Sequence, residues 1–135
     1  MIKKVFVSLI ALSLIFLCGF TKKEKPFVIL SSGTISKENV QRVERFFNVG
    51  SRINYALILP DSVKYSGVRM QISKQDDKTS NWGYSIIEAN DIYIVKGEKI
   101  YRNYFVPRTT GHYIIQFFYL NKKNYPFVHK EFMVQ

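Results

Sequence analysis

The 135-residue chain is 47% hydrophobic and 16% aromatic with 22% charged residues. That balance excludes a disordered polymer and sets the expectation of one domain. The formal net charge is +10, yet no block of five like charges occurs and lysine outnumbers arginine 14 to 6. Bidentate phosphate recognition favours arginine and interaction tails carry charge blocks, so the excess describes a solvated surface, with an anion-binding face as the lesser alternative and no nucleic-acid partner.

The N-terminus comes first. Met1-Ile2-Lys3-Lys4 is basic, Val5 to Phe20 holds sixteen residues without a charge, and Thr21 to Lys25 is polar up to Pro26. This is the three-part layout of a secretory leader. Sixteen helical residues reach about 24 Å, short of a hydrocarbon core about 30 Å thick, which disfavours a permanent span. Residues 1–20 therefore read as a signal or lipoprotein signal, 21–26 as a tether and 27–135 as the working domain.

The stretch "LIFLCG" contains Cys18, the sole cysteine of the chain. It resembles the lipobox of bacterial lipoproteins, which implies Cys18 as the acylated residue, Ile15 in the aliphatic position three before it, and a membrane partner reached through lipid. Leu17 departs from that pattern, which has Gly, Ala or Ser next to the cut. Two alternatives stay open: cleavage after Gly19 by the ordinary peptidase, and an uncleaved anchor. Gly19 rather than an aspartate after the cysteine favours the outer membrane, so the expected location is the cell envelope.

Beyond Pro26, apolar residues recur at period two, the mark of half-buried strands. Phe27–Leu30 is a short run. Ile53, Tyr55, Leu57 and Leu59 share one face, and Val68, Met70 and Ile72 alternate with Arg69, Gln71 and Ser73. Gly83–Ala89 and Asp91–Val95 read as two shorter strands divided at Asn90-Asp91. Ile100–Val106, "HYIIQFFYL" and "YPFVHKEFMV" follow. Residues 36–47 fit a helix capped by Ser36 or a bent edge strand, with strand narrowly preferred because the rest is β. Seven to nine short strands with regular turns predict an all-β antiparallel sandwich.

"TTGHYII", Thr109 to Ile115, resembles the turn that opens strand F of immunoglobulin-like domains. The resemblance implies Tyr113 as the corner tyrosine, whose hydroxyl bonds back to nearby backbone. Ile115 stands where antibody-type domains place a cysteine, so apolar packing is expected to hold the sheets together. The whole is similar to small bacterial envelope lipoproteins with an immunoglobulin-like sandwich.

No chemistry stands out. His112 and His129 lack a partner at metal-ligand spacing, and Asp76 to Ile87 fails the calcium-loop template. No nucleophile elbow or glycine-rich phosphate loop occurs. The expectation is a non-enzyme without metal or cofactor, binding a protein or glycan partner, with an accessory subunit of an envelope assembly as the alternative and a hydrolase with a spatially assembled site as the third. In "HYIIQFFYL" one face, Tyr113, Ile115, Phe117 and Tyr119, suits the core, which sets Ile114 and Phe118 on the outside. Tyr101 and Phe105 form a row on a strand expected to flank them, and Tyr125 with Lys122 and Lys123 occupies a hairpin tip. These seven, Tyr101, Phe105, Ile114, Phe118, Lys122, Lys123 and Tyr125, are the candidate partner-binding residues, because exposed aromatic patches usually signify contact.

Overall fold

Period-two alternation places the large apolar side chains of every long central strand on one side, and that side can only be buried against a second sheet. The computed structural model describes residues 25–36, 44–60, 67–76, 83–94, 97–122 and 124–135. Cys18, Lys123 and residues 37–43 lie outside the described residues. The described chain is all β, with strands β1 (Phe27–Ser31), β2 (Phe46–Phe47), β3 (Ile53–Ile58), β4 (Gly67–Gln75), β5 (Tyr84–Tyr93), β6 (Ile100–Phe105), β7 (Gly111–Tyr119) and β8 (Val128–Val134).

They form a three-stranded sheet in the order β1-β3-β6 and a five-stranded sheet in the order β2-β8-β7-β4-β5. All pairings are antiparallel except β2 with β8, where Phe46 and Phe47 run parallel to Met133 and Val134. The chain thus starts in one sheet and crosses to the edge of the other before returning. With the β7–β4 pair at the centre of the larger sheet, this is an immunoglobulin-like sandwich.

The core lies between the sheets. Val28, Leu30, Ile53, Tyr55 and Leu57 meet Val68, Met70, Ile72, Tyr113, Ile115, Phe117, Phe132 and Val134. Burying a side chain of this size contributes about 1.5–3 kcal/mol each, so packing alone holds the sheets without a disulfide. Aromatic contacts tie the layers: Tyr55 lies edge-on to Phe117 at 6.2 Å between centroids, and Tyr113 stacks on Phe132 at 5.4 Å. Burial, reinforced by Tyr101 and Glu88, holds the Tyr55 hydroxyl above the ordinary phenol range.

The turn into β7 is pinned by Tyr113. Its hydroxyl donates to the Thr109 carbonyl at 2.8 Å and lies 2.9 Å from Thr109 Oγ1. Lys74 Nζ donates to the same Oγ1 at 2.9 Å, tying β4 to the turn. Gly111 opens the strand at φ 147° with the Lys74 stem beside its α-carbon. A side chain there would meet both a strained backbone and that stem.

Two expectations are corrected. The two short strands expected around Asn90-Asp91 are one ten-residue strand, β5. It borders solvent, so polar residues fit inside it without a break. Its register against β4 shifts between Ile72 and Ser73, leaving Ile87 as the extra residue of a bulge. Strand β6 does not flank β7; it pairs with β3 in the other sheet, Tyr101 opposite Leu57 and Phe105 opposite Ile53. Within residues 36–47, Phe46–Phe47 is strand, and the helix-or-strand question for 37–43 falls outside the described residues.

Candidate ligand-binding surfaces

The expected contact residues do not gather on one face. Phe105 is 8% exposed and packs on Tyr113 at 5.9 Å, a core position. Phe118 is also 8% exposed, although its parity on β7 is outward, and its cross-strand partner is Arg69. Tyr101 is half-buried, tilted against Tyr55, with its hydroxyl accepting from Asn103 Nδ2 at 2.9 Å. Phe105 and Phe118 are therefore not contact surface, and Tyr101 belongs to the packing of the three-stranded sheet. Ile114 is half-buried on the outer side of the larger sheet, Lys122 is exposed, and Tyr125 is the most exposed large hydrophobic side chain among the described residues at 83%.

The apolar residues that do reach solvent cluster elsewhere. β5 is an edge strand, paired only with β4. Along it Tyr84, Ile86, Ile87 and Tyr93 are all exposed, Tyr93 at 75%. From Tyr84 to Tyr93 the strand holds no Lys, Arg or Pro, and its charges are Glu88 and Asp91. Native edges are usually blunted by lysine, proline, bulges or inward charges, because an unpaired ladder templates another strand. Here the bulge at Ile87 and Glu88 facing inward opposite Ile72 guard part of the strand. Glu88 to Tyr93 remains regular.

Beside the edge, the outer face of the larger sheet carries a polar knot. His112 Nδ1 lies 3.2 Å from Gln75 Oε1 and 3.5 Å from the Tyr84 hydroxyl, and its Nε2 lies 3.6 Å from Glu131 Oε2. These contacts link β4, β5, β7 and β8 across one row, which Met133 and Phe46 continue. Lys130, on the inward side of β8 opposite Ile115, is held below the ordinary lysine range by burial and then by Arg45.

The second surface is a groove of about 530 Å³ on the outer side of the three-stranded sheet. It is lined by Ser32, Gly33, Thr34 and Ile35 from the loop after β1, by Arg52 and Asn54 from the start of β3, and by Arg102 and Tyr104 from β6. Register builds it: Asn54 pairs with Ser31 on one side and Tyr104 on the other, and Arg102 lies opposite Ala56. Ile35 folds back onto Ile29 and Ala56 in a small apolar cluster on the outer side of this sheet, which holds the loop in place. Asn54 Nδ2 then donates to the Gly33 carbonyl at 2.8 Å. Asn54 Oδ1 accepts from Arg52 Nε at 3.0 Å, and the Arg52 guanidinium lies 4.0 Å from the centre of the Tyr104 ring.

Sequence reasoning missed Arg52, Asn54, Arg102 and Tyr104. A signal was present, since 52 and 54, like 102 and 104, are the polar members of alternating strands. Only the β3–β6 pairing turns the two pairs into one site.

No family model and no curated protein matches this chain. Among solved structures, an immunoglobulin-like protein, PA1606, from Pseudomonas aeruginosa is similar at a TM-score of 0.48 with 8% identity, over 84% of this chain and 98% of that one. The soluble domain of PmoD from Methylocystis sp. ATCC 49242 (Rockwell) is similar at 0.49 with 10% identity, over 82% and 90%. A β-glucosidase from Kluyveromyces marxianus, of which this chain spans 14%, is similar at 0.41 with 12% identity.

Proposed function

We propose that this chain is an exported envelope domain, tethered by lipid on Cys18, that binds a protein partner along β5 without catalysing a reaction. The leader and the lipobox resemblance support export and tethering. The observation that carries the binding reading is the ten-residue edge strand with four exposed apolar side chains and no cation. An extended partner segment would add a strand there, with main-chain hydrogen bonds supplying affinity and alternate side chains supplying selectivity. A second copy of β5 is a poor occupant, because antiparallel self-pairing brings two copies of Glu88 and Asp91 to one seam. A segment carrying Lys or Arg complements them.

The test uses a photo-crosslinking aromatic amino acid introduced at Tyr93 in cells, with Ile100 as the exposed control position on the other sheet. A discrete adduct from position 93, absent from 100 and lost when Ile86 and Ile87 are changed to Lys, is the expected result. An adduct indifferent to those substitutions, or none at 93, contradicts docking on this edge.

A further inference from the structure

We propose that the groove on the three-stranded sheet is a second binding site, for an anionic sugar. It is separate from β5, so its failure would leave the edge-strand reading intact.

Two arginines, Arg52 and Arg102, line one concave surface, and no described Asp or Glu lines it. Glu44 accepts from the amide of the lining residue Ser32 at 2.8 Å. Among the described residues neither Arg52 nor Arg102 forms an ion pair. Arg52 is held in place twice, by Asn54 Oδ1 at 3.0 Å and by the face of Tyr104 at 4.0 Å. A cation fixed before binding loses little side-chain entropy when a ligand arrives. A guanidinium presents paired N–H donors to a carboxylate or phosphate, so the complementary ligand bears such an oxyanion.

The rest of the lining selects the ligand body. Ser32 and Tyr104 carry hydroxyls and Tyr55 and Ile35 complete the wall, while the side-chain amides of Asn54 and Asn103 are already hydrogen-bonded within the protein. A hydroxyl-rich ring pairs with the hydroxyls of Ser32 and Tyr104. The volume lies within the range of about 300–1,000 Å³ that small-molecule sites occupy.

Calorimetric titration of the full-length chain tests this with four probes: glucuronate, glucose 6-phosphate, glucose and inorganic phosphate. Glucuronate or glucose 6-phosphate is expected to bind, and which of them does identifies the acid group. Glucose is expected not to bind, and inorganic phosphate to bind at least tenfold more weakly than the sugar acid. Arg102→Gln should weaken binding about tenfold or more. The Arg102 side chain makes no hydrogen bond among the described residues, so the variant's thermal midpoint should stay at the wild-type value and the loss cannot be assigned to unfolding. Arg52→Gln should do the same. No heat with either acid, equal binding of glucose, inorganic phosphate equalling the sugar acid, or an Arg102→Gln protein that binds unchanged would each overturn the proposal.

Discussion

Phe117→Ala should destabilise the domain by about 3–5 kcal/mol, the cost of emptying a large buried aromatic site. Phe117 is fully buried at the centre of the five-stranded sheet, opposite Met70 on β4 and Val128 on β8. Its ring meets Tyr55 of the other sheet at 6.2 Å and Phe127 at 6.5 Å. Truncation would open a cavity where both layers touch, and partners from three strands and from Phe127 ahead of β8 cannot all move inward. Against a total stability of about 5–15 kcal/mol, such a loss approaches the threshold of folding. Tyr125→Ala, at an exposed hairpin position, should stay within about 0.5 kcal/mol. Urea unfolding of the two variants checks this, and a loss below 1 kcal/mol for Phe117→Ala would mean that the sheets are not held together at this point.

Tyr113→Phe is the second large effect, expected at about 1–2 kcal/mol for one part-buried hydrogen-bonded hydroxyl. The ring would keep its stack on Phe132 and its contact with Phe105. What goes is the bond to the Thr109 carbonyl and the contact with Thr109 Oγ1, leaving Lys74 as the remaining tie between β4 and the turn. The midpoint in urea should fall with an unchanged slope, as expected when a native contact is lost without a change in the surface exposed on unfolding. A Tyr113→Phe protein as stable as wild type would remove the corner from the account of how β7 is set.

The core was legible in the sequence because the side-chain period of a strand is two. Ile53, Tyr55 and Leu57, Val68, Met70 and Ile72, and Tyr113, Ile115 and Phe117 each announce a buried face by alternation alone. Alternation says which way a residue points but not which strand lies beside it. Hence β6 was expected beside β7 although it pairs with β3, and Phe105 was expected at a surface although it packs on Tyr113. Phe118 shows a second limit: outward parity does not guarantee exposure. The length of β5 was hidden because Asn90-Asp91, a turn signal in an isolated segment, is tolerated on a strand whose side chains reach water. The groove was illegible for the same reason as β6. Arg52 with Asn54 and Arg102 with Tyr104 stand about fifty residues apart, and only sheet register brings them together.

The proposed function puts the domain outside the cytosol, at the end of a tether that begins at Cys18. Metabolic labelling with a radioactive fatty acid, comparing the wild-type chain with Cys18→Ser, tests that most directly. The account predicts label on the wild type in the membrane fraction and none on Cys18→Ser. An unlabelled wild-type chain, or label that survives Cys18→Ser, would contradict it.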